Sequence, residues 1–455
     1  AAAILRMASP TPPRPPPPRH FPPLAGRDAG RGWRGGRGIF SGPMAGGRAV
    51  GALTRAGVAR LRAETPGAGP ALAHLNNAGA SLPPEPVLRA GADFLREEAT
   101  RGGYEAAEAA EARGDLRRPY SALARLLGCA PEEVAVVQSA TAAWQQVFYG
   151  LDLGPSDEVL FSEAEYGSNF IAALQCRRRR GCGVRVVPSD ARGQLDVEAL
   201  EAMLRARPRG RGRAVVAVTH IPTSSGTVNP AAEIGAACAR HGAPFLLDAC
   251  QTIGHLPMDV RAWGVTWATG TGRKYLRAPR GSGFLYASEE GMALAEPGFL
   301  DNWGAEWTAM EEYELHPTAR RYESYEMSVA AKIGLGVAAE YALEVGPEAA
   351  AQRIQELAGR LRALLQEVPG VAVHDRGQQL CGIVSFSKAG CGAQQLKERL
   401  AAQGINVTVS RAPSTRAYFE SRGLEEVVRA SVHYFNVDEE LERLSAAVAE
   451  APRDP

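Results

Sequence analysis

From about residue 70 the chain alternates between short apolar runs and longer stretches whose apolar positions recur every three or four residues. Six runs have strand length: "EEVAVVQ" (132–138), "DEVLFSE" (157–163), "GVRVVPS" (183–189), "RAVVAVTH" (213–220), "PFLLDA" (244–249) and "GVTWATG" (264–270). Between them "ATAAWQQVFYGL", "SNFIAALQCRRRR", "DVEALEAMLRAR" and "AAEIGAACARHG" read as helices. Several of the strand runs are apolar almost without interruption, the pattern of a sheet covered on both faces. Strand–helix alternation on this scale predicts an α/β fold around a mostly parallel sheet.

A long helical run, "MSVAAKIGLGVAAEYALEVG" (327–346), separates this region from a smaller one. There a helix is followed by "VAVHDRG", "GIVSFS", a helix "GAQQLKERLAAQG", "INVTVS", "VVRASVHYF" and a last helix "DEELERLSAAVAEA". The expected organisation is a large domain over 70–326 and a smaller C-terminal α+β domain over 327–455. Residues 1–65 carry no such pattern. They are rich in Pro, Arg and Gly, and Asp28 is their only acid before Glu64. That composition cannot bury a core, and acid-poor, arginine-rich N-termini are typical of organelle transit peptides. The segment is expected to be a disordered extension. As a transit peptide it would place the protein in a plastid or mitochondrion; otherwise the expectation is cytoplasmic.

The 51 basic and 50 acidic residues give a net charge of +1, so composition points to no nucleic-acid partner. No apolar run reaches membrane-spanning length. The seven cysteines form no CxxC pair and lack metal-ligand spacing, which suits an intracellular, reducing setting and no metal.

Cations are written almost wholly as arginine; the lysines are Lys274, Lys332, Lys388 and Lys397. Lys274 stands beside Arg273 in the glycine-rich "TGTGRKYLRAPRGSGFLY" (269–286). Arginine can replace a lysine that is merely positive, but it cannot readily lose its proton or form an imine. Lys274 is therefore a candidate Schiff-base lysine. Nucleotide motifs do not fit here. A Walker loop needs glycine before the lysine and Ser or Thr after it, where Arg273 and Tyr275 stand. A dinucleotide fingerprint starting at Gly270 needs a small residue where Tyr275 stands.

Ligands of α/β sheets bind outside the C-terminal strand ends. Those ends carry Ser139, Ala140 and Thr141 at a helix start, then Tyr166, Thr223, Asp248 with Gln251, and Thr271 with Arg273 and Lys274. One ligand accounts for all of them: pyridoxal phosphate, with its aldehyde, phosphate, ring nitrogen, phenolic oxygen and flat ring. A helix N-terminus with Thr271 and Arg273 suits the phosphate. An aspartate suits the ring nitrogen, which it keeps protonated.

"FLLDACQTIGHLPMDV…TGRKYLRAPRGSGFLY" resembles the fold-type I pyridoxal-phosphate enzymes of aminotransferase class V, the family of cysteine desulfurases and isopenicillin N epimerase. The resemblance runs from "LNNAGASLPP" (75–84) to "VRASVHYFNVDEELERL" (428–444) and implies a seven-stranded, mostly parallel sheet in a homodimer. It implies Lys274 as the cofactor-binding lysine, Asp248 as the ring-nitrogen partner and Gln251 near the phenolic oxygen. Ala140, Thr141, Thr271 and Arg273 would hold the phosphate. Tyr166 falls where desulfurases place a ring-stacking histidine, Thr223 where they place asparagine, and Arg429 where the family keeps an arginine for the substrate's α-carboxylate.

The departures point to the reaction. The loop that bears the sulfur-accepting cysteine of desulfurases reads "VTVSRAPSTRAYFE" (407–420), with no cysteine. The desulfurases' Gly-Thr contact to the neighbouring subunit is replaced by "RRYESYEMS" (320–328). "THIPTSSGTVNP" and "TGRKYLRAPRG" are similar instead to the hercynylcysteine sulfoxide lyase branch. The expected activity is C–S β-lysis of an amino acid or cysteine conjugate. Transamination and epimerisation share its early steps and remain alternatives, ahead of desulfuration or a non-catalytic binding role.

Overall fold

A computed structural model of the chain describes residues 53–207 and 212–451. The six apolar runs become strands β1 (Val134–Val137), β2 (Glu158–Ser162), β3 (Gly183–Val187), β4 (Ala214–Thr219), β5 (Phe245–Asp248) and β6 (Trp267–Thr271). A seventh strand, β7 (Gly283–Ala287), completes the sheet in the order β1-β7-β6-β5-β4-β2-β3. Only β7 runs against the rest, pairing antiparallel with both β1 and β6. It returns directly from the loop after β6, and so short a return cannot make a parallel crossover. Every residue of β1, β4, β5, β6 and β7 is buried. Alternate side chains feed two separate clusters: Leu160, Val216 and Leu247 on one face, Val159, Val215 and Leu246 on the other. Helices cover both faces, which explains the unbroken apolar runs.

The C-terminal region holds an antiparallel sheet of β8 (Val371–Val373), β9 (Ile383–Lys388), β10 (Thr408–Arg411) and β11 (Glu426–Ser431), ordered β8-β9-β11-β10. The helix Val329–Val345 joins the two regions; it packs on the helices Glu85–Arg101 and Arg118–Leu127. Ala73–His74 pairs in parallel with Ile405–Asn406, and Leu75 lies in one cluster with Ile354 and Phe386. The division at residue 326 therefore omits a crossing, because the start of the large domain is built into the C-terminal core.

The expected extension over residues 1–65 needs correction at its end. Residues 1–52, and with them the transit-peptide reading, lie outside the described residues. Arg55–Ala63 is a helix, capped by the Thr54 hydroxyl, which accepts from Gly57 N at 3.1 Å. Val58 and Leu61 are buried, one turn apart on one face. Behind them the buried Thr65 hydroxyl accepts from Arg277 Nη2 at 2.6 Å. Truncation should separate the two parts. Removing residues 1–52 leaves every described contact in place and should leave the melting midpoint unchanged. Removing 1–65 exposes the surface under Val58 and Leu61, worth roughly 3–6 kcal/mol of apolar burial, and strips a partner from the buried Arg277. A clear drop in midpoint or loss of soluble protein is expected, and equal melts of the two truncations would refute the docking.

Candidate active site

The strand ends meet at a solvent-open cleft of about 730 Å³. At one side, the Ser139 hydroxyl caps the helix Ala140–Gly150 by accepting from Ala142 N at 3.1 Å, and Ser139 O accepts from Ala143 N. The N–H groups of Ala140 and Thr141 have no such partner, as the first turn of a helix requires. Their approach depends on Gly283, where a methyl group would lie 2.6 Å from Gly270 O and 3.1 Å from Ala140 N. Thr271 and Arg273 line the same side, with Arg280 at the rim. Donors and positive charge thus concentrate where an anion would sit. Arg273 is partly committed, since it donates to Gly79 O. Burial is the main influence lowering its pKa, with Arg280 adding to it.

Deeper in, Asp248 ends β5. Its Oδ1 accepts from Cys250 N at 2.9 Å and its Oδ2 from Asn169 Nδ2 at 3.1 Å. Lys274 is nearly enclosed, at 9% exposure. Burial pulls its ammonium below the usual lysine range, while Cys250 and Asp248 oppose the shift. No described ion pair involves Lys274, so its amine is not held by a fixed carboxylate.

The remaining expected residues close the cleft. Tyr166 caps the helix Gly167–Arg180, its backbone N donating to Thr219 Oγ1 at 3.2 Å. Gln251 Nε2 donates to Ala78 O at 3.0 Å and to Thr223 Oγ1 at 3.4 Å. Arg429 arrives from β11, on the other region. Its Nη1 donates to Thr223 O (2.9 Å) and Oγ1 (2.7 Å), and its Nη2 to Asn76 Oδ1 (3.1 Å). Burial pushes its guanidinium down to about 10, which leaves it charged at neutral pH.

All nine expected cofactor residues line this one cleft, and Arg429 is bonded to one of them. Sequence reasoning misses Arg280, Asn76, Asn169 and Glu165. Asn76 carries a signal, lying inside "LNNAGASLPP"; so does Glu165, an acid just past a strand end. The missing-cysteine loop also acquires a place. A methyl group at Gly167 would overlap Pro413 O, Ser414 Oγ and Ser224 Oγ share a hydrogen bond at 3.2 Å, and Thr415 Oγ1 donates to Ser224 Oγ at 2.9 Å. The loop is bonded to Ser224 and packs closely against the start of the helix that Tyr166 begins.

The wall carries unmet demands. Gln251 Oε1 and Arg429 Nε are buried without a partner, and no acid pairs with Arg273, Arg280 or Arg429 in the described ion pairs. A buried guanidinium without a carboxylate calls for an anionic ligand. An anion cradle, an amine free to react and a buried acid across from it fit pyridoxal phosphate, with a second anion at Arg429.

The model of the family described as Aminotransferase class-V matches residues 73–444. A probable cysteine desulfurase of Methanothermobacter thermautotrophicus is 29% identical over 386 residues, 83% of this chain and 94% of its own length. A cysteine desulfurase of Synechococcus elongatus is 30% identical over 323 residues, 70% of this chain and 50% of its own. The apo cysteine desulfurase from Thermococcus onnurineus NA1 superposes with a TM-score of 0.78 at 22% identity, covering 86% of this chain and 97% of its own. The cystine C–S lyase C-DES, solved with its product cysteine persulfide, superposes with a TM-score of 0.74 at 23% identity, covering 83% and 97%. The last two likenesses are of fold.

Proposed function

The chain belongs to the aminotransferase class-V family, and from that premise we propose that this pyridoxal-phosphate-dependent enzyme is a C–S β-lyase acting on a cysteine conjugate. The observation that carries the reading is the sulfur side of the site. A desulfurase must pass sulfur to an accessible thiolate. Here the corresponding loop is bonded to Ser224 and carries Ser410, Ser414 and Thr415 in place of a thiol. Cys250 is the cysteine lining the cleft; burial raises its thiol far above the usual range, and the Asp248 carboxylate adds to the shift. Cys381 is fully enclosed and pushed up to about 12 by burial, and Cys391 lies beside Gln395 before the helix Ala393–Ala402.

Bound in the cleft, pyridoxal phosphate supplies an aldehyde for the substrate's amino group and a protonated ring that takes up the electron pair left at Cα. The N–H groups of Ala140 and Thr141, the hydroxyls of Thr141 and Thr271, and Arg273 hold its phosphate. Asp248 would hold the proton on the ring nitrogen, Gln251 would serve the phenolic oxygen and Tyr166 a ring face, while Thr223 bonds Gln251 and Arg429 together. Arg429 orients the substrate through its α-carboxylate. The Lys274 amine, whose hold on its proton burial weakens, takes the proton from Cα. Loss of the sulfur group from Cβ then leaves an enamine, which hydrolyses to pyruvate and ammonia. Transamination and epimerisation use the same groups up to proton removal.

Desulfuration is the second reading, favoured by the names of the relatives. Persulfide trapping and pyruvate release, run in parallel on free cysteine and a cysteine sulfoxide conjugate, separate the two. Pyruvate from the conjugate, slow turnover of free cysteine and no persulfide on the protein are expected. Rapid alanine production from free cysteine with a persulfide on Cys250, Cys381 or Cys391 would overturn the lyase. Association as a homodimer belongs to the same reading. The hairpin Ala305–Ala309 and Glu312–Leu315 exposes Trp307 and Tyr313, with Met310 at its turn, an apolar group suited to a second copy.

A further inference from the structure

Glu165 is fully enclosed, and it takes no part in the lyase chemistry. Both of its oxygens are occupied by donors. Oε1 accepts from Asn169 Nδ2 and from Thr219 Oγ1, each at 2.8 Å. Oε2 accepts from Thr219 N at 2.8 Å and from Ser162 Oγ at 3.3 Å. Asn169 Nδ2 has a second hydrogen, and that one goes to Asp248 Oδ2 at 3.1 Å. One amide NH2 group therefore spans two buried carboxylates. Asp248 Oδ1 is taken by Cys250 N, so the Asn169 bond decides how the carboxylate is turned.

We propose that Glu165, acting through Asn169, is a positioning residue for Asp248, fixing the orientation and strengthening the proton-holding power of that carboxylate. The inference rests on the reading of Asp248 as the partner of the ring nitrogen. In its ionised form Glu165 can only accept, so Asn169 shows it nitrogen, and the same nitrogen then meets Asp248. The negative charge of Glu165 behind the amide makes Asp248 hold a shared proton more firmly. Burial pushes the Glu165 carboxyl up to about 7 and the Asp248 charge adds to the rise, while the Asn169 and Thr219 hydrogen bonds hold it down. The donors on both oxygens favour the charged form and work against that rise.

The same cluster reaches Tyr166. Thr219 Oγ1 donates to Glu165 and accepts from Tyr166 N, so one acid sets the edge partner and the backbone of the face-covering residue together. A glutamine at 165 would turn an amide nitrogen toward donors. Asn169 would answer by rotating, which brings its oxygen against Asp248. Glu165→Gln should therefore act like removal of the bridge.

The test compares pyridoxal phosphate with its 1-deaza analogue, in which carbon replaces the ring nitrogen. Full-length parent, Glu165→Gln, Asn169→Ala and Asp248→Ala are each reconstituted with either compound, and cofactor affinity is measured. Glu165→Gln and Asn169→Ala should bind pyridoxal phosphate about tenfold more weakly, with kcat down about ten- to a hundredfold and KM changed less than about twofold, the scale of lost outer-layer partners. Both should bind the carbon analogue as the parent does. Their double variant should be no worse than either single one, because both act through one bond. Asn169→Ala keeps the Glu165–Thr219 bonds and decides the matter if Glu165→Gln does not fold. Equal losses for both cofactors, or none, would overturn the positioning role. If Asp248→Ala itself treats the two cofactors as the parent does, the Asp248 reading fails and takes this inference with it. If Asp248→Ala discriminates and Asn169→Ala does not, only the inference fails.

Discussion

Lys274→Ala should lose turnover by orders of magnitude and retain pyridoxal phosphate weakly or not at all. Two separate losses combine in it. The amine that anchors the cofactor is gone, and so is the base for the Cα proton, a group worth about 10²–10⁴ in rate by itself. Borohydride treatment of the yellow parent protein should fix the cofactor on Lys274 and nowhere else. The other lysines have settled structural places. Lys332 Nζ donates to the Tyr120 hydroxyl at 2.6 Å and stands 3.8 Å from Glu323. Lys388 Nζ donates to Val448 O and to Ala449 O, and Lys397 lies on the helix Ala393–Ala402. Label recovered on any of the three, or near-parental turnover in Lys274→Ala, would refute the assignment. An arginine at 274 should be no better than alanine, since it keeps charge but cannot give up its proton at neutral pH.

The same contrast between lysine and arginine shows why parts of this molecule are legible in its sequence. A lysine in an arginine-writing chain is a chemical statement, and Asp248 at the end of an apolar strand is another. Both are local, and the strand-end rule gathers them at one edge of the sheet. β7 escapes the strand pattern because "GSGFLY" continues a glycine-rich loop, and its pairing with β1 comes from chain more than 140 residues upstream. The helix Arg55–Ala63 merges with the extension because "RAGVARLRA" shares its arginine and alanine; only Val58 and Leu61 distinguish it. Glu165 looks like one more acid in "SEAEYGSN". Its meaning depends on Asn169 and Asp248, and the distance between those two is set by the order of β2, β4 and β5 in the sheet. Tertiary pairing of this kind leaves no period or spacing in the sequence.

Arg429→Ala should have the second large effect, and it should fall mainly on substrate binding. The residue is buried, charged and without an acid, and its three described hydrogen bonds go to Thr223 and Asn76, which are neutral. Neutral acceptors take part of its hydrogen-bonding capacity, Nε has no partner, and its charge is unmet, so the geometry is poised for an α-carboxylate. Unpairing such a contact is expected to lower kcat/KM on the order of a hundredfold to a thousandfold. Most of that loss should appear as a raised KM. Arg429→Lys should recover little, because an ammonium cannot bridge Thr223 and Asn76 and still present two parallel donors. A substrate lacking the α-carboxylate supplies the control. On the parent it should be as poor as the full substrate is on Arg429→Ala, and the variant should handle it no worse than the parent does. That non-additivity separates carboxylate recognition from damage to the fold. If Arg429→Ala left KM unchanged, or lost equally on both substrates, the guanidinium would be a brace between the two regions, holding Thr223 and Asn76 together. The carboxylate would then have to be bound elsewhere in the cleft, with the exposed Arg280 the next guanidinium among its lining residues to test.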